Sequence, residues 1–490
     1  MTNSTSTFET RGPHENTPRD TPRDTPRDTP RDTPRGNTAH AIADLRRRVV
    51  GTVHTAEDPA WDRARMAWTV NVDQQPLAVL EVHDADDVQA AIRWAVDHGV
   101  DVTAQPTGHS AVSEAADGVL LLRTRALDEI SVDVQRRTAW VGAGVKSGEL
   151  LAALDGTGLT FLAGSNPDPT VVGMTITGGI SWFGRSFGLG ADSVVTVELV
   201  DGLGRLRRLS ADEEPELFWA VRGGGGSFGI ITRIEVALHP APSLYGGRLL
   251  WPLEQMAAVL DAFRTATATA PPELTLWFHT YQFPPFPELP EPIRGKSFVS
   301  VAAAYLGNAV EGERMLAPFR SVKGIAMDLM GELPMAALGS IADEPTEPMP
   351  GLQSSHLLRE LDDQTAAAIV AAVGPDSGSP LTVFQIRHLG AAFAAEVADA
   401  GSHGPVTEPY SVFALGVPAV PELVPAIHGQ FARVADAVSA VDSGRTLLNF
   451  LESDQDPALW WSAGTRARLA AAKQVADPLG IVRSNRPIRS

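Results

Sequence analysis

The sequence predicts an α+β fold with more than one lobe, and three observations predict it. At 490 residues the chain exceeds what one ordinary hydrophobic core organises. Its first half alternates short apolar runs with glycine loops around a single strongly amphipathic helical stretch. Its middle turns proline- and alanine-rich, with helical spacing and few glycine loops, before strand and helix signals return at the end.

The elements follow in order. Residues 17–35 read Thr-Pro-Arg-Asp four times and then Thr-Pro-Arg, with a proline in every unit and nothing apolar to bury, so residues 1–38 are expected to be a disordered tail. Folding is expected from Ala39. Residues 77–82 read as a strand, and Val88, Ala91, Ile92, Ala95 and Val96 form the stripe of a helix that Gly99 ends. A strand at 100–104 runs into the loop Gln105-Pro106-Thr107-Gly108-His109-Ser110, followed by a strand at 119–122. Further on come a helix from Ser147, a Gly/Thr-rich segment at 164–190, a strand at 194–200 turning at Asp201-Gly202, and an alternating strand at 230–238. Helices are expected near 256–266 and 363–373. The closing segment carries a short strand at 446–451, a helix at 463–474 and a stop at Asp477-Pro478.

Composition narrows the functional classes. With 43% hydrophobic and 20% charged residues the chain has the make-up of a soluble globular protein. A net charge of -19 argues against nucleic acid or an anionic membrane as partner. The absence of cysteine removes disulfides, thiolate metal sites and cysteine nucleophiles. No apolar run reaches the roughly 18 residues of a membrane span, and the N-terminus has no secretory pattern, so a cytoplasmic location is expected.

Several motifs are weaker than they look. Gly142-Ala143-Gly144 with Gly148 misplaces the third glycine of a dinucleotide fingerprint and reads as a turn between strand and helix. Gly144-Val145-Lys146-Ser147 separates glycine from lysine and so breaks a phosphate-binding P-loop. Gly225-Gly226-Ser227-Phe228-Gly229 formally matches a hydrolase nucleophile elbow, but a strand follows where that turn needs a helix. Four consecutive glycines are better explained by backbone brought close to a flat or anionic ligand. No His-Glu-x-x-His pair or other histidine cluster has metal spacing, and no metal is expected. His109 is the most informative residue, because it sits in a glycine loop between two buried strands.

Its neighbours carry a resemblance. Gly108-His109-Ser110, then Pro167-Asp168, Val171-Val172-Gly173-Met174-Thr175-Ile176-Thr177-Gly178-Gly179 and Arg185 to Gly188-Leu189, resemble the FAD-binding domain of the vanillyl-alcohol oxidase and p-cresol methylhydroxylase superfamily. Asp192-Ser193-Val194 to Asp201-Gly202, then Pro215-Glu216-Leu217-Phe218-Trp219-Ala220-Val221-Arg222 with Gly223 to Thr232, are similar to its berberine-bridge-enzyme-like branch. Asn449-Phe450, Arg468-Leu469, Lys473, Asp477-Pro478 and Arg483-Ser484-Asn485-Arg486-Pro487 resemble that branch's closing segment, and Gln385-Ile386-Arg387-His388-Leu389-Gly390 resembles a strand of its substrate-domain sheet.

The resemblance implies a two-subdomain FAD-binding domain at 39–240, a substrate domain at 241–440 with an antiparallel sheet covered by helices, and a segment at 441–490 that returns to the first domain. It implies FAD held by Thr107, Gly108, His109, Ser110, Pro167, Asp168, Gly173, Thr175, Gly178, Gly179, Gly229, Ile230, Asn449 and Asn485. Amides of the 105–110 loop are expected to cradle the pyrophosphate, and the histidine matching His109 bonds to the flavin 8α carbon. Relatives often add a second bond from a cysteine, a position that falls on Asn166, so attachment is expected to be single. Two departures stand out. Gln105-Pro106-Thr107 replaces an arginine and glycines, and Leu447 replaces a tyrosine that serves relatives as base.

Oxidation of a C–H bond at flavin N5 needs a proton acceptor beside the substrate. With Leu447 unable to serve, the candidates are Tyr281 and His279 in Trp277-Phe278-His279-Thr280-Tyr281, His388, and Glu452. The expected activity is an FAD-dependent oxidase acting on a small organic molecule, a secondary metabolite or a sugar-like alcohol, with dioxygen as acceptor, as a monomer or homodimer. A cyclase or other non-redox catalyst keeping FAD as a structural element is the alternative, motivated by Leu447.

Overall fold

The computed structural model describes residues 35–283, 287, 291–451 and 455–488. Three sheets carry the architecture, and it is the mixed α and β arrangement with antiparallel sheets that the sequence predicts. The first has the order Thr52–His54, Ala78–Glu81, Leu120–Arg123, Val102–Ala104, and its last three strands are parallel. The helix Ala85–His98 serves this sheet. Asp84 accepts from the amides of Asp86 and Asp87 at its start, Gly99 takes the left-handed conformation at its end, and Val88, Ala91, Ile92 and Ala95 are buried as the stripe requires. Loop 105–110 leaves the carboxyl end of Val102–Ala104, where open sheets with parallel strands place their ligand loops.

The second sheet is antiparallel throughout, in the order Ile130–Asp133, Thr138–Gly142, Ile230–Ala237, Val194–Val200, Leu206–Leu209. The largest sheet runs Met327–Asp328, Leu244–Pro252, Ser297–Tyr305, Leu274–Gln282, Val383–His388, Tyr410–Gly416, Leu352–Leu358, with Gly331–Leu333 also paired to Leu244–Pro252. Alternation along its strands separates two faces. Leu274, Leu276, Phe278, Phe384, Ile386, Val412 and Ala414 pack with the helices Met256–Thr267, Asp363–Val373 and Leu423–Val438 in one core. The other face sends Trp277, Ala302 and Ala304 into the core of the first half, where the Trp277 and Trp182 rings stack at 3.8 Å.

The closing segment lies against the first half. The helix Ala463–Ala476 packs on Pro215–Gly224, Val482 bridges Val102, and Lys473 donates to the carbonyls of Ser227 and Val482.

Two expectations are corrected. The strand expected at 446–451 is a 3-10 turn, Leu448–Phe450, because the amides of Phe450 and Leu451 bond back to Leu447 and Leu448 instead of reaching a neighbouring strand. The first helix, Arg35–Arg48, begins inside the expected tail, and it folds because Ala41, Ile42 and Leu45 bury against the core that contains Trp94. The repeats up to residue 34 lie outside the described residues.

Candidate functional site

A cleft of about 1450 Å³ lies between the glycine loops of the first half and the second face of the large sheet. Thr107, Gly108, His109 and Ser110 form one wall. Among the described residues none of these four amides donates to another group, so the loop keeps four N–H groups unused beside the cleft. Gln105 adds to it: Oε1 accepts from Arg123 at 3.2 Å, while the buried Nε2 has no partner among the described residues. Arg123 also donates to the carbonyls of Ala64, Met66 and Gln105, locking the loop from behind. Burial pushes its guanidinium down to about 10, which leaves it charged at neutral pH.

His109 is fixed in two ways. Its ring stacks on Trp68 with centroids 4.2 Å apart, and Nε2 lies 2.8 Å from Asp168 Oδ2. Lys146 pairs with the other carboxylate oxygen. Burial works against ionisation of Asp168, but the hydrogen bonds and charges of His109 and Lys146 outweigh it and hold the carboxyl below its ordinary range. A carboxylate at Nε2 places the ring proton there, which leaves Nδ1 as the lone-pair nitrogen with no partner among the described residues. Asn166, at the position of the second anchor, accepts from the Asp168 amide and donates to the carbonyl of Pro345, tying the cleft's two sides together.

Glycine geometry tests the fit of a large flat ligand. A Cβ at Gly226 would meet no atom within 4 Å and would project into the cleft that Gly226 lines. Gly229, at φ +156, is different: a Cβ there would fall 2.4 Å from the carbonyl of Val200, so its smallness serves the sheet. Free amides, an unpartnered amide nitrogen on Gln105 and an open glycine wall suit a group that is anionic at one end and flat at the other, as FAD is.

Of the other expected cofactor residues, Gly173, Gly229, Ile230, Asn449 and Asn485 line the cleft. Pro167, Asp168, Thr175, Gly178 and Gly179 lie behind its surface. Pro167 supports the start of the helix Ser147–Leu154 through its carbonyl, Thr175 is 2% exposed, and the carbonyls of Gly178 and Gly179 accept from Ala191 and Gly190. Asn449 brackets the same segment: its amide donates to Met174 O and Thr177 Oγ1 and its oxygen accepts from Gly179 N.

The opposite wall is the large sheet. Tyr281 lines the cleft, and burial pushes its phenol up to about 12, so it stands protonated at neutral pH. His279, two residues along the same face, is fully buried beneath it, with the two rings stacked at 5.3 Å. Burial, then the charges of Arg387 and Arg248, push His279 down to about 3, and neither ring nitrogen has a partner among the described residues. His388 is not brought to the cleft. It follows Phe384 and Ile386 on the helix-facing side, where Nε2 accepts from Arg185 at 2.9 Å. Glu452 lies outside the described residues. Sequence reasoning missed Trp68, Arg123, Lys146 and Arg387. Arg387 had the clearest signal, since its strand alternates to place it with Gln385 on the face opposite Phe384 and Ile386.

Comparison with known proteins agrees with this geometry. Residues 76–210 match the model of an FAD binding domain. The chain is 31% identical over 222 residues to (R)-6-hydroxynicotine oxidase of Paenarthrobacter nicotinovorans, covering 44% of this chain and 48% of that one. It is 30% identical over 231 residues to glucooligosaccharide oxidase of Sarocladium strictum, covering 46% of each. The matched stretch spans about half the length of these relatives. Among solved structures, wild-type berberine bridge enzyme-like 1 of Physcomitrella patens superposes with a TM-score of 0.79 at 20% identity, over 92% of this chain and 99% of that one. The resemblance to berberine-bridge-enzyme-like flavoproteins read from the sequence is borne out.

Proposed function

We propose that this chain, which carries the FAD-binding domain of the berberine-bridge-enzyme-like flavoproteins, is an oxidase that holds one FAD through a single bond from His109. Its substrate is a small organic molecule oxidised at a C–H bond, with electrons passed to dioxygen. In this reading residues 39–240 and 441–490 hold the cofactor and residues 241–440 the substrate. FAD, when bound, supplies the hydride acceptor. The protein's residues bind and orient. The free amides at 107–110 and Gln105 Nε2 suit the pyrophosphate, and Nδ1 of His109 is the nitrogen left for the bond to the 8α carbon. Tyr281, protonated at neutral pH, serves as the polar contact that orients the reacting hydroxyl or amine.

The observation that carries the reading is His109 at the cleft wall with Nε2 held by Asp168. Names of relatives add support: one oxidises 6-hydroxynicotine, an amine, and another a glucooligosaccharide. Acid precipitation tests the attachment. The pellet is expected to be yellow, and His109→Ala is expected to release its flavin to the supernatant. Free flavin from the unaltered protein refutes the bond. The buried Leu447 favours the second reading, a non-redox cyclase with structural FAD, and turnover under anaerobic conditions with the flavin oxidised throughout would establish it.

A further inference from the structure

Arg387 is a buried cation with no carboxylate in contact among the described residues; Glu344, which lines the same cleft, acts on it only through space. Arg387 is 6% exposed and its guanidinium lies over three aromatic faces, with the carbon 4.2 Å from the Trp277 centroid, 4.7 Å from Phe450 and 5.3 Å from Phe413. Among the described residues it forms no ion pair. Its hydrogen bonds go to one atom, Gln385 Oε1, at 3.0 Å from Nε and 2.8 Å from Nη2.

The neighbouring arginine shows how the fold treats a cation it means to neutralise. Arg248 stands in the same cross-strand row, Arg248–Ala302–Trp277–Arg387. Its Nη2 is 2.7 Å from Asp343 Oδ2 and its Nη1 donates to the carbonyl of Ala342. Arg387 has no such contact, since Glu344 acts on it without forming an ion pair, in a chain whose acidic residues outnumber its lysines and arginines, 59 to 40. A guanidinium taken out of water without an anion in contact is unfavourable, and in a cleft it marks a candidate site for a ligand that carries the missing charge.

The donors left over define that ligand. Gln385 turns Oε1 to the guanidinium, so its Nε2 faces away and has no acceptor among the described residues, as does Arg387 Nη1. Gln385 and Arg387 both line the cleft. Two unused donors on cleft-lining side chains and one positive charge suit one carboxylate, while Trp277, Phe413 and Phe450 beside the guanidinium suit a flat apolar body.

We propose that Gln385 and Arg387 form an anion subsite that binds the carboxylate of a flat, largely apolar substrate acid. This rests on the reading of the sheet face as the substrate wall of a flavin site. It narrows the substrate from any small organic molecule to an acid.

Calorimetric titration of the flavin-loaded protein with trans-cinnamate and with cinnamamide, its neutral isostere, tests the subsite. The acid is expected to bind roughly 10- to 100-fold more tightly than the amide, the range of one charge-assisted contact. Arg387→Met is expected to abolish that preference. Gln385→Glu, which places a carboxylate against Arg387 without emptying the site, is expected to do the same and decides the matter if the methionine variant does not fold. Equal binding of acid and amide, binding of neither, or a preference that survives in the folded variants overturns the proposal. The flavin reading fails separately: absorbance of the same sample reports whether flavin is bound, a readout distinct from the heat of acid binding.

Discussion

His388 sits under the large sheet with 5% of its surface exposed, Nε2 accepting from Arg185 and Nδ1 without a partner. Burial, then the Arg185 charge, push its imidazole down to about 3, against about 6.5 in an unfolded chain. As pH falls the unfolded state takes up the proton first. Stability present above the unfolded value is therefore lost as pH drops through 6.5 toward 3. At about 1.4 kcal/mol per pH unit below 6.5, this one group costs about 2.6 kcal/mol between pH 7.5 and pH 4.5. His279, pushed down to about 3, and His239, pushed down to about 4 by burial, have the same sign. Together the three remove on the order of 8 kcal/mol over that interval, comparable with the whole stability of an ordinary domain. Acid unfolding is expected near pH 4.5, before most carboxylates protonate.

His388→Gln isolates one of the three, because a glutamine oxygen can go on accepting from Arg185 but does not titrate. Urea unfolding followed by tryptophan fluorescence at pH 7.5 and pH 4.5 gives the loss for each protein. The variant is expected to lose about 2.6 kcal/mol less than the parent over that interval. Equal losses, to within about 0.5 kcal/mol, would refute the assignment of His388 as a neutral buried histidine.

Two further outcomes follow from the cofactor wall. Asp168→Asn removes the carboxylate that holds the His109 ring proton at Nε2, so the acid-stable fraction of flavin is expected to fall about 10-fold or more while total flavin falls less, and an unchanged acid-stable fraction sinks the role given to Asp168. Gly226→Val is expected to fold normally but purify with little flavin, since its side chain enters the cleft, whereas Gly229→Ala is expected to lower the melting temperature because its Cβ meets the Val200 carbonyl; flavin-to-protein absorbance and thermal melts separate the two, and full flavin loading of Gly226→Val would exclude the glycine wall from the cofactor site.

Local periodicity made much of the fold legible. The helix Ala85–His98 has its stripe and terminal glycine in the sequence, and Asp363–Val373 begins and ends where its spacing puts it. The turn at 446–451 was not legible, because Thr446 to Leu451 has a strand's composition and pairs with no strand among the described residues, while Asn449 draws its turn onto the Gly173–Gly179 segment from 270 or more residues away. Long-range pairing of that kind leaves no local signal. His388 and Arg387 are a subtler case. Alternation from Phe384 through Ile386 puts His388 in the core and Arg387 at the cleft, so the face was readable although histidine chemistry pointed the other way. Lys146 was legible only as the failure of a P-loop, since its partner Asp168 is distant in the chain.

The absence of a tyrosine at Leu447 gains meaning from what the opposite wall does contain. Leu447 is fully buried and cannot take a proton, Tyr281 stands protonated, and His279 is held neutral at about 3 by burial and by the two arginines. None of these is a strong base at neutral pH. Arg248 is neutralised by Asp343, and the charge of Arg387 is taken up by the carboxylate seated on it, so neither arginine is left to lower the pKa of a substrate hydroxyl and the wall supplies no base of its own.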